Sequence, residues 1–209
     1  MKPHFRVASV LVLMLGIYAC AQDPSPNDAA PVTEQEAETP LLEIVDEALH
    51  STHSLKYTFA ATDGFHLTPV NNRNDVFNDT PFAISRAAFL SNDAAVMIHA
   101  ETVSDQSNAS NYDNLPQATW PSSDFRSQGS VCFELSTEDI EDEADPQWLI
   151  SNGFSPVGTL MLSQAFLSSA DYNDEIVISL MLKVSSCSDD TNAAKFQHLQ
   201  SAITVTARQ

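Results

Sequence analysis

Short segments of alternating apolar and polar residues, joined in pairs by polar turns, constrain the fold of this 209-residue chain most. Residues 82–90 and 95–103 form one pair around Ser91-Asn92-Asp93, and residues 159–168 and 175–185 form another. A period of two predicts β-strands, and a short turn between two such strands predicts an antiparallel hairpin. The chain is therefore predicted to build an antiparallel sheet.

Three further strands are predicted. Residues 55–62 alternate strictly and are followed by Asp63-Gly64, a strong hairpin-turn signal that leads into residues 65–68. Residues 131–135 form a short strand, and residues 204–207 form a closing strand.

Helices are predicted near both ends of this strand-rich region. Thr39-Pro40 resembles an N-cap with proline at the first helical position, and the apolar residues of 41–49 follow at helical spacing. Asp145-Pro146 is predicted to cap a short helix that Gly153 ends, and a last helix covers residues 191–202. Hairpins with helices near the ends predict a single α+β domain over residues 40–209, an antiparallel sheet with helices packed on one face.

The N-terminus has the pattern of an export signal. Lys2 and Arg6 precede an apolar run over residues 7–17 that is too short for a stable membrane span. The run ends at Ala19-Cys20, which resembles the lipobox of bacterial lipoprotein precursors. The resemblance implies a signal peptide over residues 1–19, a diacylglyceryl group on Cys20, usually a third chain on its amine, and, in a Gram-negative cell, the outer membrane. A cut after Ala21 by ordinary signal peptidase, which gives a secreted protein, is the alternative.

A polar segment separates this leader from the predicted domain. Residues 20–39 include the proposed lipidated cysteine and a stretch rich in Pro, Ala and acids without an aromatic residue. Such a composition cannot bury enough surface to offset the entropy of ordering, so it predicts a flexible acidic tether. Its coil dimension is about 20 to 25 Å, enough to hold a domain just clear of a membrane surface.

The remaining cysteines predict one disulfide. In an exported domain, Cys132 and Cys187 are two thiols left to pair with each other, 55 positions apart. Strand parity places both on the same face, which favours the bridge. Two separately buried thiols are the alternative.

Charge excludes one class of partner. The formal net charge is −19, with nine basic and 28 acidic residues, and cleavage of the leader removes two of the basic ones. Phosphate backbones need clusters of lysine and arginine, so nucleic acid is excluded as a partner, and anionic lipid head groups are expected to repel the chain as a whole. The acidity also fits a solvated surface that keeps an exported protein soluble.

No sequence motif identifies a reaction or a cofactor. Phosphate-cradling glycine loops, nucleophile elbows and zinc-protease helices are absent from the sequence, and His99-Ala100-Glu101 matches only half of a zinc deaminase signature. His50 and His53, three residues apart, could face one metal ion or simply end a helix. The acidic run 138–145 lacks the pattern of a calcium loop. We therefore assign no cofactor and no metal.

The long segment over residues 104–128 is the predicted binding element. A compact domain rarely spends about 25 residues without regular structure, and long ordered loops often bind or cover. Its candidate contact residues are Tyr112, Trp120, Phe125 and Arg126, because rings beside polar side chains suit sugar or peptide. The alternative is that these rings pin the loop to the domain's own core.

These features predict a membrane-anchored envelope lipoprotein that acts as a non-enzymatic binding or accessory module. Its expected partners are the membrane, through the N-terminal lipid, and an envelope protein or glycan. The alternative is an exported hydrolase acting on glycan or peptide, with carboxylates such as Glu101, Glu134 or Asp113 as acid and base. A purely structural spacer of the envelope is a third possibility.

Overall fold

The computed structural model describes residues 39–208, which belong almost entirely to one compact unit that begins at Pro40. The predicted signal peptide, Cys20 and residues 21–38 of the tether lie outside the described residues. Within the described part the chain forms eleven strands and two short helices. Their order is β1 (Leu42–Val45), β2 (Ala48–Ser51), β3 (Tyr57–Ala61), β4 (His66–Leu67), β5 (Asn71–Phe77), β6 (Thr80–Leu90), β7 (Ala94–Val103), β8 (Ser130–Leu135), α1 (Ala144–Ser151), β9 (Gly158–Ser168), β10 (Asp174–Lys183), α2 (Asn192–Ser201) and β11 (Ile203–Ala207).

The strands form two antiparallel sheets, so the predicted α+β class is wrong and the fold is a β-rich sandwich. A small sheet has the order β1-β2-β3-β11. A large sheet has the order β4-β6-β7-β10-β9-β8, and β5 also pairs with β6. The predicted hairpins β6–β7 and β9–β10 are confirmed, and β7 and β10 pair at the centre of the large sheet.

The core lies between the two sheets. Leu49 and Phe59 of the small sheet pack in one cluster with the face of the large sheet that carries Val96, Ile98 and Ile178, and all five side chains are essentially inaccessible. Helix α2 adds its buried apolar residues to the same cluster, beside β10 and β11. We call this side of the large sheet its near face.

The opposite side, the far face, is also covered. The segment that contains α1 crosses it, as contacts of Trp148 with Arg86 and of Phe154 with Lys183 show. Strands β6, β7 and β10 are therefore buried on both sides over most of their length. Burial on both faces explains why alanine and apolar residues blur the alternation in β6, because neither face needs to be polar.

The helix predicted for residues 41–49 is instead the hairpin β1–β2. Asp46 and Glu47 both have positive φ, 50° and 64°, which is the conformation of a two-residue type I′ turn. The inward positions Leu42 and Leu49 are 1% and 0% exposed against the large sheet. Burial of these two leucines and pairing with β3 outweigh local helix propensity, and Asp-Glu lacks the usual asparagine–glycine turn signal.

The turn at Asp63-Gly64 does not make the predicted hairpin. It carries the chain from the small sheet to the large one, where β4 pairs with β6 rather than with β3. The next strand, β5, has a polar sequence and was not predicted. Its hairpin with β6 turns at Asn78 and Asp79, which again both have positive φ.

The predicted short helix is present as α1, and Gly153 ends it as expected. Gly153 has φ +98°; its N–H donates to Ile150, and Phe154 N–H donates to Leu149 O at 2.9 Å. This is a Schellman ending with its hydrophobic contact. The start of the helix differs, because Asp145 lies inside the first turn and its carboxylate points to other partners instead of capping.

Cys132 and Cys187 lie at disulfide distance, with their sulfur atoms 2.08 Å apart, so the predicted bridge is present. It joins β8, an edge strand of the large sheet, to the turn that follows β10. Of the helices in the described chain, neither has the length and hydropathy needed to cross a bilayer.

Candidate functional site

Charged side chains on the far face of the large sheet are buried, whereas the outer face of a sandwich ordinarily exposes its polar residues to solvent. They come from four strands, from α1 and from the long loop. We call them the buried charged cluster; its members are Arg73 on β5, Arg86 on β6, His99 and Glu101 on β7, Glu175 on β10, Asp145 on α1, and Tyr112 in the loop. Arg86, His99, Glu101 and Glu175 are between 4% and 8% exposed.

Strand register brings the two glutamates together. Glu101 and Glu175 are directly paired residues of β7 and β10, so their side chains lie side by side on the far face. Both carboxyl groups are buried there, and burial together with the neighbouring charge of Glu101 raises the pKa of Glu175. Glu101 also accepts a hydrogen bond from Nδ1–H of His99, with Nδ1 and Oε1 2.9 Å apart.

Asp145 lies at the end of the cluster that is opposite Glu175. One oxygen accepts a hydrogen bond from Arg86, and Arg73 lies 3.4 Å from the same oxygen. The second oxygen lies 3.5 Å from Nε2 of His99. The guanidinium of Arg86 also stacks over the ring of Trp148, 4.8 Å from its centroid, so the helix covers the cation that it neutralises.

Tyr112 extends the chain of contacts into the loop. Its hydroxyl donates to Oε2 of Glu175 at 2.6 Å, and its ring stacks on Phe166 with centroids 4.8 Å apart. Tyr112 thus contacts Glu175, Glu175 lies beside Glu101 in the strand register, and Glu101 and Asp145 both contact His99.

The pKa values of the glutamate pair and of the tyrosine are shifted by burial and by each other. Burial, followed by the neighbouring charge of Glu101, raises the pKa of Glu175 well above its usual range. Burial, followed by the charge of Glu175, raises the pKa of Tyr112 well above its usual range as well. These shifts favour the neutral forms of both Glu175 and Tyr112, and Tyr112 stays a neutral donor.

At the other end, ion pairing outweighs burial. Burial opposes the charged imidazole of His99, but Asp145 and Glu101 together raise its pKa. Burial opposes the charged form of Asp145 too, yet His99, Arg73 and Arg86 lower its pKa. The cluster is consistent with one protonation pattern, in which cations and carboxylates alternate and Glu175 is neutral.

This arrangement can hold or relay a proton between Asp145 and Tyr112. Its two glutamates are directly paired residues of adjacent strands and both are buried, whereas glycosidases hold their two carboxyl groups in a cleft with room for substrate or water between them. The cluster is also roofed by α1 and by the Tyr112 ring. Its geometry therefore suits an enclosed ionic core of the fold better than it suits attack on a bound polymer.

The loop residues predicted to bind a partner are mostly used inside the molecule. Phe125 is 0% exposed and packs edge-on against Tyr57, and Trp120 is partly buried against the core between the sheets. The backbone of Arg126 pairs with that of Phe166, so the loop covers the edge of β9 beyond the end of β8. The loop thus runs from the far face, round the sheet edge, to the near face.

The hydrolase candidates lie apart from one another. Glu101 is in the cluster, whereas Glu134 is exposed on β8. The Asp113 side chain is 61% exposed, accepts a hydrogen bond from Tyr172 and lies 4.0 Å from Arg126. The structure does not bring these three carboxylates into one site.

Residues considered for metal binding have other partners. His53 is buried against the backbone oxygen of Glu175, whereas His50 faces Arg208 on the opposite side of β2. In the acidic run, Asp139 accepts hydrogen bonds from Ser136, and Asp145 belongs to the buried charged cluster. Over residues 39–208, no group of three or more potential ligands is arranged to hold a metal ion.

The outer face of the small sheet is the most exposed regular surface near the start of the domain. Register places Glu43, Val45, Lys56, Thr204 and Thr206 on this face, and all five are exposed. One end of it carries three basic side chains and lies where the chain enters β1. We call this the basic end of the small sheet; it consists of His50, Lys56 and Arg208.

Sequence reasoning missed Glu175 and the roles of Asp145, Arg86 and Arg73. Glu175 was treated only as the first residue of a strand, and Asp145 as a helix cap. The available signal was the presence of Arg86 and Glu101 inside largely apolar strands, residues 82–90 and 95–103. This signal alone does not show which strands are adjacent, so the pairing of Glu101 with Glu175 could not be predicted.

No protein-family model, curated protein or solved structure matches this chain. Its function therefore has to be inferred from its own residues and geometry.

Proposed function

We propose that this protein is an envelope lipoprotein, anchored through Cys20, whose sandwich domain binds another envelope component rather than catalysing a reaction. The anchor rests on the lipobox-like leader and the tether composition. The structural observation that supports a binding role is the contrast between two surfaces. The paired carboxyl groups of Glu101 and Glu175 are buried, while the outer face of the small sheet is open and offers threonine and basic side chains.

The anchor is tested by the mass of the mature N-terminus. The protein is expressed with its leader in a bacterial host and purified from the membrane fraction. We expect the first peptide to begin at Cys20 and to carry a diacylglyceryl group, and we expect Cys20→Ala to lose acylation. A mature N-terminus at Gln22, produced by a cut after Ala21, would contradict the anchor.

The binding surface is tested by site-specific photo-crosslinking in intact envelopes. A photoreactive amino acid at Thr206 places the probe on the outer face of the small sheet. The matched control at Asn92 places it in the exposed turn between β6 and β7. We expect a specific adduct from Thr206 and none from Asn92; equal labelling from both positions would contradict a dedicated surface.

One observation favours the alternative, an exported hydrolase: Glu101 and Glu175 are paired and buried side by side, and the pKa of Glu175 is raised, as in paired catalytic carboxyl groups. Such a pair would act only if α1 or the Tyr112 segment moved aside to admit substrate. Chromogenic glycosides and peptides offered to the purified protein test this alternative. Turnover that Glu175→Gln abolishes would favour the enzyme over the binding module.

A further inference from the structure

The basic end of the small sheet differs from the rest of this acidic chain in how its cations are paired. Among the described residues, neither Lys56 nor Arg208 has a carboxylate within 4.0 Å. The other described lysines and arginines lie that close to a carboxylate or lie over an aromatic ring; they are Arg73, Arg86, Arg126, Lys183 and Lys195.

Backbone contacts hold these two cations together at one place. Arg208 N–H donates to Lys56 O at 2.8 Å, which continues the pairing of β3 with β11. The Arg208 guanidinium donates to Ser51 O and lies 3.4 Å from Nδ1 of His50. The Lys56 ammonium donates to Thr52 O. These bonds fix where the cations lie, and within residues 39–208 neither cation forms an ion pair.

The cations border an open cleft of about 300 Å³ that Glu43 and Thr52 also line. Thr52 connects this cleft to the start of the domain, because its hydroxyl donates to Pro40 O and its N–H donates to Leu41 O at 2.8 Å. The basic end is thus the part of the domain at which the preceding chain enters.

We propose that the basic end docks on the phosphate groups of anionic membrane lipids and orients the anchored domain on the bilayer. This inference takes the lipid anchor of the proposed function as its starting point. A chain of about 18 residues between Cys20 and the domain keeps its entry point within roughly 25 Å of the surface. Tethering then makes even a weak contact effective, because the local concentration of head groups is high.

Charge complementarity favours phosphate groups as the partner of the basic end and determines which side of the domain faces the membrane. Each lysine or arginine close to an anionic membrane surface is worth about a fivefold change in the bound population. The remaining acidic surface is repelled, so the domain should turn its basic end to the bilayer and the rest away from it. The repulsion expected from net charge alone therefore holds for the chain as a whole and not for this end.

Lysine reactivity measures the docking directly. The mature acylated protein is reconstituted in vesicles of phosphatidylcholine, with or without phosphatidylglycerol, and treated with a membrane-impermeant amine reagent. Mass spectrometry follows Lys56, with Lys195 on α2 as the reference within the same molecule. We expect phosphatidylglycerol to slow labelling of Lys56 about fivefold or more relative to Lys195. Salt at about 1 M, where the screening length is about 3 Å, should abolish this protection.

Two matched variants separate docking from general charge effects. Arg208→Gln removes one charge from the basic end and leaves Lys56 as the reporter, and Lys183→Gln removes one charge elsewhere. We expect Arg208→Gln to lose most of the protection and Lys183→Gln to retain it. The salt response of the unaltered protein stands independently of how either variant folds.

Equal labelling of Lys56 in the two kinds of vesicle would overturn the proposal. Protection in intact envelopes but not in phosphatidylglycerol vesicles would also overturn it and would indicate an anionic protein or glycan instead. Failure of the anchor is distinguishable, because the mass of the mature N-terminus reports it separately. The same labelling can then be done with the chain held by an N-terminal histidine tag on a nickel-chelating lipid.

Discussion

At the scale of single residues, Asp145 shows most clearly how a buried charge depends on its partners. It is the carboxylate that faces Arg73, Arg86 and His99, and ion pairing with them keeps its pKa low in spite of burial. Removing one partner from a buried ion pair leaves uncompensated charge, which costs far more than the pair itself contributes.

Asp145→Asn is therefore expected to lower the free energy of unfolding by about 3 kcal/mol. The cause is that Arg86 and His99 would keep their burial and lose their counter-charge. Urea unfolding of the oxidised protein measures the change. Asp142→Asn, an exposed carboxylate of the same acidic run, is the control and should shift stability by no more than about 0.5 kcal/mol. Equal effects of the two substitutions would refute the ionic role of Asp145.

Glu175 should make stability depend on pH. Its pKa is raised in the folded state above the usual 4.5, so the stability it contributes is present at acid pH and is lost as pH rises through the raised value. His99, whose pKa is also raised, adds a loss in the same direction above 6.5. The lowered pKa of Asp145 acts oppositely, but only below 3.8.

We therefore expect unfolding free energy to fall as pH rises above about 4.5, with a slope of at most about 1.4 kcal/mol per pH unit for each proton. Glu175→Gln should remove the component that begins above 4.5, because the amide does not ionise and its oxygen still accepts from Tyr112. Urea midpoints over a pH series measure this, with Glu134→Gln as the exposed control. An unchanged profile in Glu175→Gln would show that Glu175 is ionised in the folded protein.

At the scale of elements, the loop over residues 104–129 behaves as a cover of the sheet edge. It is attached at Tyr112 on the far face, at Arg126 on the edge of β9 and at Phe125 in the core. Its composition predicted the loop and both of its possible uses. Composition could not decide between them, because the outcome depends on which rings find partners across the sheets.

Tyr112→Phe is expected to loosen the loop selectively. The substitution removes the hydrogen bond to Glu175 but keeps the stacking on Phe166, so the cost should be about 1 to 2 kcal/mol. Hydrogen exchange should become faster in residues 104–116 and stay unchanged in the hairpin β6–β7. Tyr172→Phe, which removes an exposed hydroxyl bonded to Asp113, is the matched control. Uniform acceleration throughout the domain would argue against a local attachment.

Local sequence patterns predicted the positions of the strands better than they predicted the fold class of the domain. The long hairpins were predictable because alternation and turn chemistry act over a few residues. Strands β3 and β11 of the small sheet were predicted, but its hairpin β1–β2 was missed because residues 41–49 satisfy a helical spacing as well, and only burial of Leu42 and Leu49 under the large sheet decides for strands. In the same way, the charged cluster requires the adjacency of β7 and β10, which no local pattern contains.

At the scale of the whole molecule, the disulfide connects an edge strand of the large sheet to the segment that follows β10. Strand β8 pairs only with β9, and the bridge ties its Cys132 to the segment after β10. The predicted pairing followed from the export signal and cysteine arithmetic, and strand parity agreed with it.

Replacing both cysteines by alanine should lower the free energy of unfolding by about 4 kcal/mol on the chain-entropy estimate for a loop of 55 positions. Thermal unfolding of Cys132→Ala/Cys187→Ala against the oxidised parent measures the loss. The parent treated with reductant should match the variant closely. A variant as stable as the oxidised parent would show that the bridge adds nothing beyond packing.

The bridge between Cys132 and Cys187 also makes the stability of this domain depend on the redox conditions around it. Thiols in the bacterial cytosol are kept reduced, whereas the periplasm oxidises them. Reduction would leave the described chain without this crosslink, so the reduced form is expected to be less stable and more sensitive to proteases than the oxidised form.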